Sequence, residues 1–256
     1  MTAQAFTART AASHAGFFLP HLKPQMSVLD CGCGRGSITV GLAQAVGPGK
    51  VVGIDIGETE VSVAIEHAQE VGASNAEFAQ ASMYEIPYPD ETFDATFSHA
   101  AVEHLNDPVA ALSEMKRVLK PGGVMGVRDI DLGSFIFAGH SAHWLDEYFR
   151  IYTNLWSSYG GDGLMGRRLR GLLNEVGMTG VLASASTEYF GSSESVKWMT
   201  ERMARRIDDT EFVEWVIELG LSDLDSLKSI DAAWDDWSAH PDAFLATTWF
   251  EAIGWK

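Results

Sequence analysis

The sequence predicts an α/β fold: a Rossmann-like, doubly wound, mostly parallel seven-stranded sheet with a helical, aromatic-rich substrate lid or insertion. Three observations predict it. Short apolar runs alternate with helical patterns through residue 130, as strands joined by crossover helices do. The first run, Met26 to Leu29, stops at Asp30 and enters a turn with glycines at 32, 34 and 36. All eight tryptophans lie at or after Trp144, so the second half carries bulky aromatic surface that the first half lacks.

The elements follow in order. Strands are expected near 26–30, 50–55, 75–79, 93–98 and 122–129, and helices near 36–46, 58–71 and 107–119. Asp107-Pro108 is a cap and first-turn pair, and Pro121-Gly122-Gly123 closes that helix before the next strand. Residues 131–160 are rich in aromatics and histidine, and Gly160-Gly161-Asp162-Gly163 separates them from a helix near 164–176. The last two strands are expected at 181–190 and 244–255. Between them lie about 50 mainly helical residues where a short hairpin would suffice, which marks an insertion. The chain therefore reads as one domain, 1–256, with a core over about 20–130 and a lid or insertion over 131–160 and 191–243.

Composition bounds the function. At 256 residues and 46% hydrophobic content the chain is long enough for one substantial core. A formal charge of −17 disfavours nucleic-acid binding, which needs basic residues to displace counterions. No apolar run reaches the roughly 20 residues that span a bilayer, and Phe17-Phe18-Leu19 is too short for a signal-peptide core; a cytoplasmic protein is expected, monomer or homodimer. Cys31 and Cys33 sit inside the glycine turn without further ligands for a metal, and read as small residues lining it. Residues 208–242 hold eleven acids and one lysine, with apolar residues at helical spacing (Phe212, Val213, Trp215, Val216, Leu219; then Leu224, Leu227, Ile230, Trp234, Trp237). That is a pair of amphipathic helices with acids facing water, or a negative mouth for a cationic substrate.

A turn of alternating glycines lets a ligand touch bare main chain. A dinucleotide site wants Gly-x-Gly-x-x-Gly, but position 37 is Ser. Asp30, ahead of the turn, would repel a pyrophosphate and suits an ammonium group through a charge-assisted hydrogen bond. Asp55 closes the next apolar run, where a ribose diol needs an acceptor. The cofactor that fits is S-adenosylmethionine, with S-adenosylhomocysteine as product.

With these residues the chain resembles the class I S-adenosylmethionine-dependent methyltransferases, in the ubiquinone/menaquinone-methyltransferase-like, type 11, small-molecule branch. The resemblance covers roughly residues 10–130. Besides the turn it rests on Ile86-Pro87-Tyr88-Pro89-Asp90-Glu91-Thr92-Phe93-Asp94, Val102-Glu103-His104-Leu105-Asn106-Asp107-Pro108 and Glu114-Met115-Lys116-Arg117-Val118-Leu119-Lys120-Pro121-Gly122-Gly123. Where many relatives carry an Asp, this chain reads Ala81-Ser82-Met83. The resemblance implies that Ser82 and Met83 meet the adenine edge, the Met through its backbone amide. Asp30, Gly32, Gly34, Gly36, Asp55, Ile56 and Ser98 complete the expected cofactor set, Ile56 against the adenine face; Gly36 could equally ease helix packing, and Ile56 could belong to the core.

Methyl transfer from a sulfonium needs alignment above all, and a base only when the nucleophile starts protonated. His99, ending the fourth strand beside Ser98, is the candidate base, because neutral imidazole takes a proton near neutral pH; a packed histidine is the plainer alternative. His104, Arg128, His140, His143, Tyr148 and Tyr152 are candidates for the acceptor pocket. Arg128, Asp129 and Asp131 could orient a polar acceptor or pair with one another. The expected function is methyl transfer to C, O or N of a small, partly apolar metabolite. An NAD-dependent oxidoreductase would leave Asp30 unexplained, and a non-catalytic S-adenosylmethionine-binding protein is the other reading.

Overall fold

In the computed structural model, which describes residues 9–139, 143–203 and 208–256, the chain divides into two units. The first runs through Ile130 and takes in 165–186 and 249–256; the second is built from 131–164 and 187–248.

Central to the first unit is β1 (Val28–Cys31), buried along its whole length. It pairs in parallel with β2 (Val51–Asp55) on one side and β4 (Phe93–His99) on the other. β3 (Ala76–Gln80) adds to β2, and β5 (Leu119–Ile130) adds to β4, again in parallel. β7 (Thr179–Phe190) and β8 (Phe244–Trp255) extend the sheet, which with one further short strand has eight rather than the expected seven; β8 runs antiparallel to β5, and β7 pairs with β8. The register sets Cys31, Ile54 and Ser98 level, and puts His99 beside Arg128 and Arg128 beside Glu251. These positions share the carboxyl edge of the parallel strands, where such sheets bind ligands.

Apolar alternation explains the layers. α1 (Ala11–His14) and α2 (Ser37–Val46) cover one face, over Phe18, Val28, Val51 and Phe97. α4 (Pro108–Val118), which follows α3 (Glu58–Glu70), covers the other face with α6 (Leu169–Glu175), over Leu29, Ile54, Met125 and Val127. Asp107 caps α4 by accepting the Ala110 N–H at 2.9 Å, with Pro108 in the first turn. Pro121-Gly122-Gly123 lies inside β5 rather than ahead of it. Leu119 already pairs with Phe93, and the register then jumps before Ala95 meets Val124, so the strand absorbs those residues as an irregularity.

The second unit holds α5 (His143–Ser158), α7 (Ser193–Met203), α8 (Thr210–Glu218) and α9 (Leu224–Ser238). It also holds a strand absent from the sequence expectation, β6 (Ile136–Ala138), antiparallel to residues 244–246. Aromatic stretches hide so short a strand. Trp234 and Trp237 of α9 are fully buried against Phe137, and the Trp237 indole donates to the Ala138 carbonyl at 2.8 Å. The acids of α8 and α9 face water as amphipathic spacing requires: Glu211, Glu214, Asp225, Asp235 and Asp236 are exposed while Phe212, Val216, Leu227 and Ile230 are buried. Trp215 and Leu219, expected on the apolar face, remain nearly half exposed. Among the described residues no helix is long and apolar enough to cross a membrane.

Candidate active site

The glycine turn forms because β1 ends against β2. Gly32 and Cys33 both donate their N–H groups to the Ile54 carbonyl, at 2.8 and 3.0 Å, and the Gly36 N–H closes on Cys33 at 3.0 Å. All three glycines have positive φ, +72°, +51° and +76° at 32, 34 and 36. Their surroundings differ. A Cβ on Gly32 would stand 2.5 Å from the Ala101 Cβ, and one on Gly36 would stand 2.9 Å from both Ala64 and the Phe78 ring, whereas at Gly34 nothing lies within 4 Å. Gly36 therefore serves packing, and Gly34 leaves open space over the main chain.

Asp55 holds the turn from β2. Its Oδ2 accepts the Gly34 N–H at 2.8 Å and its Oδ1 the Gly57 N–H at 2.9 Å. Beside it Ile56 is 75% exposed, an apolar side chain with no packing role in the core. Across from it Met83 is buried, its sulfur facing the Gly32 position, while the Ser82 hydroxyl accepts the Tyr84 N–H at 3.1 Å. An open glycine main chain, a carboxylate at the second strand end and an exposed apolar wall fit a nucleoside of the S-adenosylmethionine type. Asp30 lies deeper, buried and accepting from the Thr39 hydroxyl at 2.6 Å. Burial pushes its carboxyl up to about 7, against the lowering effect of the Thr39 bond.

Beyond β4 the chain turns through Ala100, at φ +53°, into a short 3₁₀ turn, Val102–His104. His99 is buried, and neither ring nitrogen has a well-formed hydrogen bond; the Ser98 hydroxyl is likewise buried without a partner. Burial, then the charges of Arg9 and Arg128, hold the His99 imidazole well below its usual range, so it is neutral. Its ring packs 5.0 Å from that of His14 and 4.9 Å from that of Trp249. Arg128 lies over the Trp249 ring at 4.7 Å, and its Nε reaches Glu251 at 3.3 Å.

Asp129 lies beside Glu103. Asp129 accepts the Glu103 N–H at 3.2 Å, Glu103 accepts the Ile130 N–H at 3.0 Å, and the two buried carboxyl groups lie against each other. Burial raises both, and the neighbouring charge raises Asp129 further, so this pair retains a proton. His104, half exposed, stands 3.5 Å from Glu103. Asp131 accepts the Gly133 N–H at 2.9 Å and caps the turn Leu132–Ser134.

The candidates in the second unit behave differently. Tyr148 and Tyr152 are buried in its aromatic core, against Trp234 and Phe212 respectively, and the Tyr148 hydroxyl donates to the Met203 carbonyl at 3.3 Å. His143 begins α5, and His140 lies outside the described residues. The sequence reading missed Arg9, His14, Trp249 and Glu251, which fall outside the glycine turn and its companion blocks. Only the folding of α1 and β8 onto β4 and β5 gathers them.

Three raised carboxyls give a stability prediction. Asp30 ionises near 3.8 when unfolded and near 7 when folded; between those values the folded state binds more protons, so stability falls as pH rises. Glu103 and Asp129 act in the same direction. The depressed imidazoles of His14, His99 and His104 act in the opposite direction over pH 5 to pH 7, so the readable quantity is a difference: in the cofactor-free protein the melting temperature of Asp30→Asn, relative to wild type, is expected to rise from pH 5 to pH 7. A difference that does not change with pH would remove Asp30 as a source.

The mostly parallel core of the eight-stranded sheet, with β8 antiparallel beside β5 and a glycine turn at the carboxyl edge, defines a Rossmann-like architecture. Residues 22–175 match the family model described as a methyltransferase domain. The chain is 31% identical to an uncharacterized methyltransferase of Schizosaccharomyces pombe, over 90% of this chain and 84% of that protein. It is 28% identical to a protein named "Probable methyltransferase ltbC" from Aspergillus luteorubrus, over 97% and 92%. Among solved structures, the YcgJ protein from Bacillus subtilis shares the fold, with a TM-score of 0.62 and 19% identity over 94% of this chain and 97% of that one. The chain belongs to the methyltransferase domain family and is a class I S-adenosylmethionine-dependent methyltransferase.

Proposed function

We propose that the protein methylates a small, partly apolar organic metabolite held at the carboxyl ends of β4 and β5. Asp55 would take the ribose diol and Asp30 the ammonium group. The open main chain at Gly32 and Gly34 would receive the methionine portion, with Gly36 setting the turn. Ile56 and Met83 would flank the adenine, Ser82 would meet its edge, and Ser98 would line the floor. Bound there, S-adenosylmethionine supplies a methyl carbon already activated by a sulfonium charge. The protein's part is alignment and exclusion of water.

One observation carries the reading: His99 is buried with no well-formed hydrogen bond at either ring nitrogen and, among the described residues, only the Arg128 main chain close enough to favour its charged form, in the segment whose Ala101 abuts Gly32. Buried polar atoms are nearly always satisfied, and one that is not calls for an explanation such as a catalytic role or a bound partner. His99 therefore faces the acceptor's reacting group, with Arg128 and His104 as neighbours; Tyr148 and Tyr152 serve packing. His99→Ala should lower turnover by about 10²-fold or more, as loss of one hydrogen-bonding group at a reacting centre does, while S-adenosylhomocysteine affinity, read by calorimetry, stays within about twofold. Undiminished turnover with any acceptor found would take His99 out of the mechanism.

A further inference from the structure

His99 does not stand alone. Trp249 joins it to two guanidinium groups, Arg128 at 4.7 Å and Arg9 at 5.5 Å from the indole centroid. His14 packs edge-on against both His99 and Trp249, at 5.0 and 6.4 Å between ring centres, its Nδ1 2.7 Å from the Ser13 hydroxyl. Among the described residues two acids face this group: Glu251 is drawn off by three donors, Arg128 Nε at 3.3 Å, Ser184 Oγ at 2.7 Å and Ser186 Oγ at 2.7 Å, and Glu103, which feels the charge of Arg9, is held in the proton-sharing pair with Asp129. The field reaching the two imidazoles is consequently positive. Burial first, and then Arg128 and Arg9, depress His14 to about 3, and Arg9 and Arg128 act on His99 in the same sense.

A positive field has opposite consequences for the two partners of a proton transfer. It disfavours an imidazolium, so His99 is a weak base here; it favours an anion, so an acidic hydroxyl beside it loses its proton readily. It also repels an ammonium acceptor. We propose that the methyl acceptor is an oxyanion, a phenolate- or enolate-type oxygen, bound against His99 by the field of Arg9 and Arg128, with Trp249 holding the guanidinium groups in place. His99 then donates a hydrogen bond from its neutral ring rather than accepting a proton. The balance is complete without a base: an O–C bond forms on the acceptor oxygen as the S–C bond breaks, the electron pair stays on sulfur, and no proton leaves in that step. The hydroxyl proton departs to solvent when the acceptor binds.

This inference rests on the reading of His99 as acceptor-facing, and its test separates the two. The probe is 4-nitrophenol, whose anion is coloured, titrated spectrophotometrically with the full chain saturated with S-adenosylhomocysteine. Bound to the wild-type protein, its acidity should rise about tenfold, one unit of pKa. Arg9→Gln, a change at a partly exposed position, should lose most of that shift while keeping the melting temperature and S-adenosylhomocysteine affinity. Arg128→Lys, which retains the charge opposite Glu251, should keep it. A probe that fails to bind, or whose bound acidity is unchanged or lower, overturns the oxyanion assignment when S-adenosylhomocysteine binds normally. Failure of S-adenosylhomocysteine itself to bind would instead remove the proposed cofactor site.

Discussion

Replacing Asp55 by alanine is expected to weaken S-adenosylhomocysteine binding by about 100-fold or more, the largest loss from any single side chain of the proposed site. The carboxylate does two jobs at once. It holds the Gly34 amide at 2.8 Å and the Gly57 amide at 2.9 Å, bonds to a charged group that are worth about 1.5–3 kcal/mol each. It also offers the remaining lone pairs to a ribose diol. Loss of the ribose contact alone would cost about two decades of affinity at roughly 1.4 kcal/mol per decade, before the turn relaxes around an unheld Gly34. Substrate and product carry the same ribose, so both should weaken alike. Asp55→Asn keeps one carbonyl acceptor but presents an NH₂ group to an N–H donor, and should fall between. Calorimetric titration decides the matter: a dissociation constant within about threefold of wild type would show that Asp55 only shapes the turn.

How far the site was legible depended on how local its causes are. Asp30, Gly32, Gly34 and Asp55 could be picked out because a strand ending on an acid, followed by alternating glycines, leaves its mark in consecutive residues. The strands from β1 to β4 were legible for the same reason, through apolar runs closed by turns. β5 was placed late because a Pro-Gly-Gly run reads as a stop, while in the fold it rides as an irregularity between Leu119 and Val124. His99 was visible as a histidine at a strand end, but its neutrality and positive surroundings were not. They arise from burial against Trp249 near the end of the chain, from Arg9 and His14 near its start and from Arg128 on β5, and no local pattern joins residues so far apart. Conversely, Tyr148 and Tyr152 looked like pocket residues because aromatics in a helix carry no sign of which face they take; here they pack on Phe212 and Trp234. The pairing of Glu103 with Asp129 was hidden in the same way. Glu103 belongs to a motif block and Asp129 lies outside every block, and only the return of β5 beside the Val102–His104 turn brings them together.

Alanine at Gly34 and alanine at Gly32 are expected to fail for different reasons. Both positions have positive φ, so each substitution carries a left-handed backbone cost of roughly 1–2 kcal/mol. At Gly32 the new methyl would also sit 2.5 Å from the Ala101 Cβ. That contact joins the cofactor turn to the loop after β4, and one of the two segments must move. Gly32→Ala should therefore lower the melting temperature substantially and disturb His99 with it. At Gly34 the methyl meets nothing within 4 Å, so the protein pays only the backbone cost and folds, but the methyl stands in the space proposed for the cofactor. Its stability loss should stay near that of a strained glycine, while S-adenosylhomocysteine affinity drops about 100-fold or more, roughly 2.8 kcal/mol. The contrast is the informative quantity, because general destabilisation would move both measurements together in both variants. If Gly34→Ala binds S-adenosylhomocysteine as wild type does, the open main chain at that position is not where the ligand lies, and the cofactor must approach the turn from the side of Ile56 and Met83 instead.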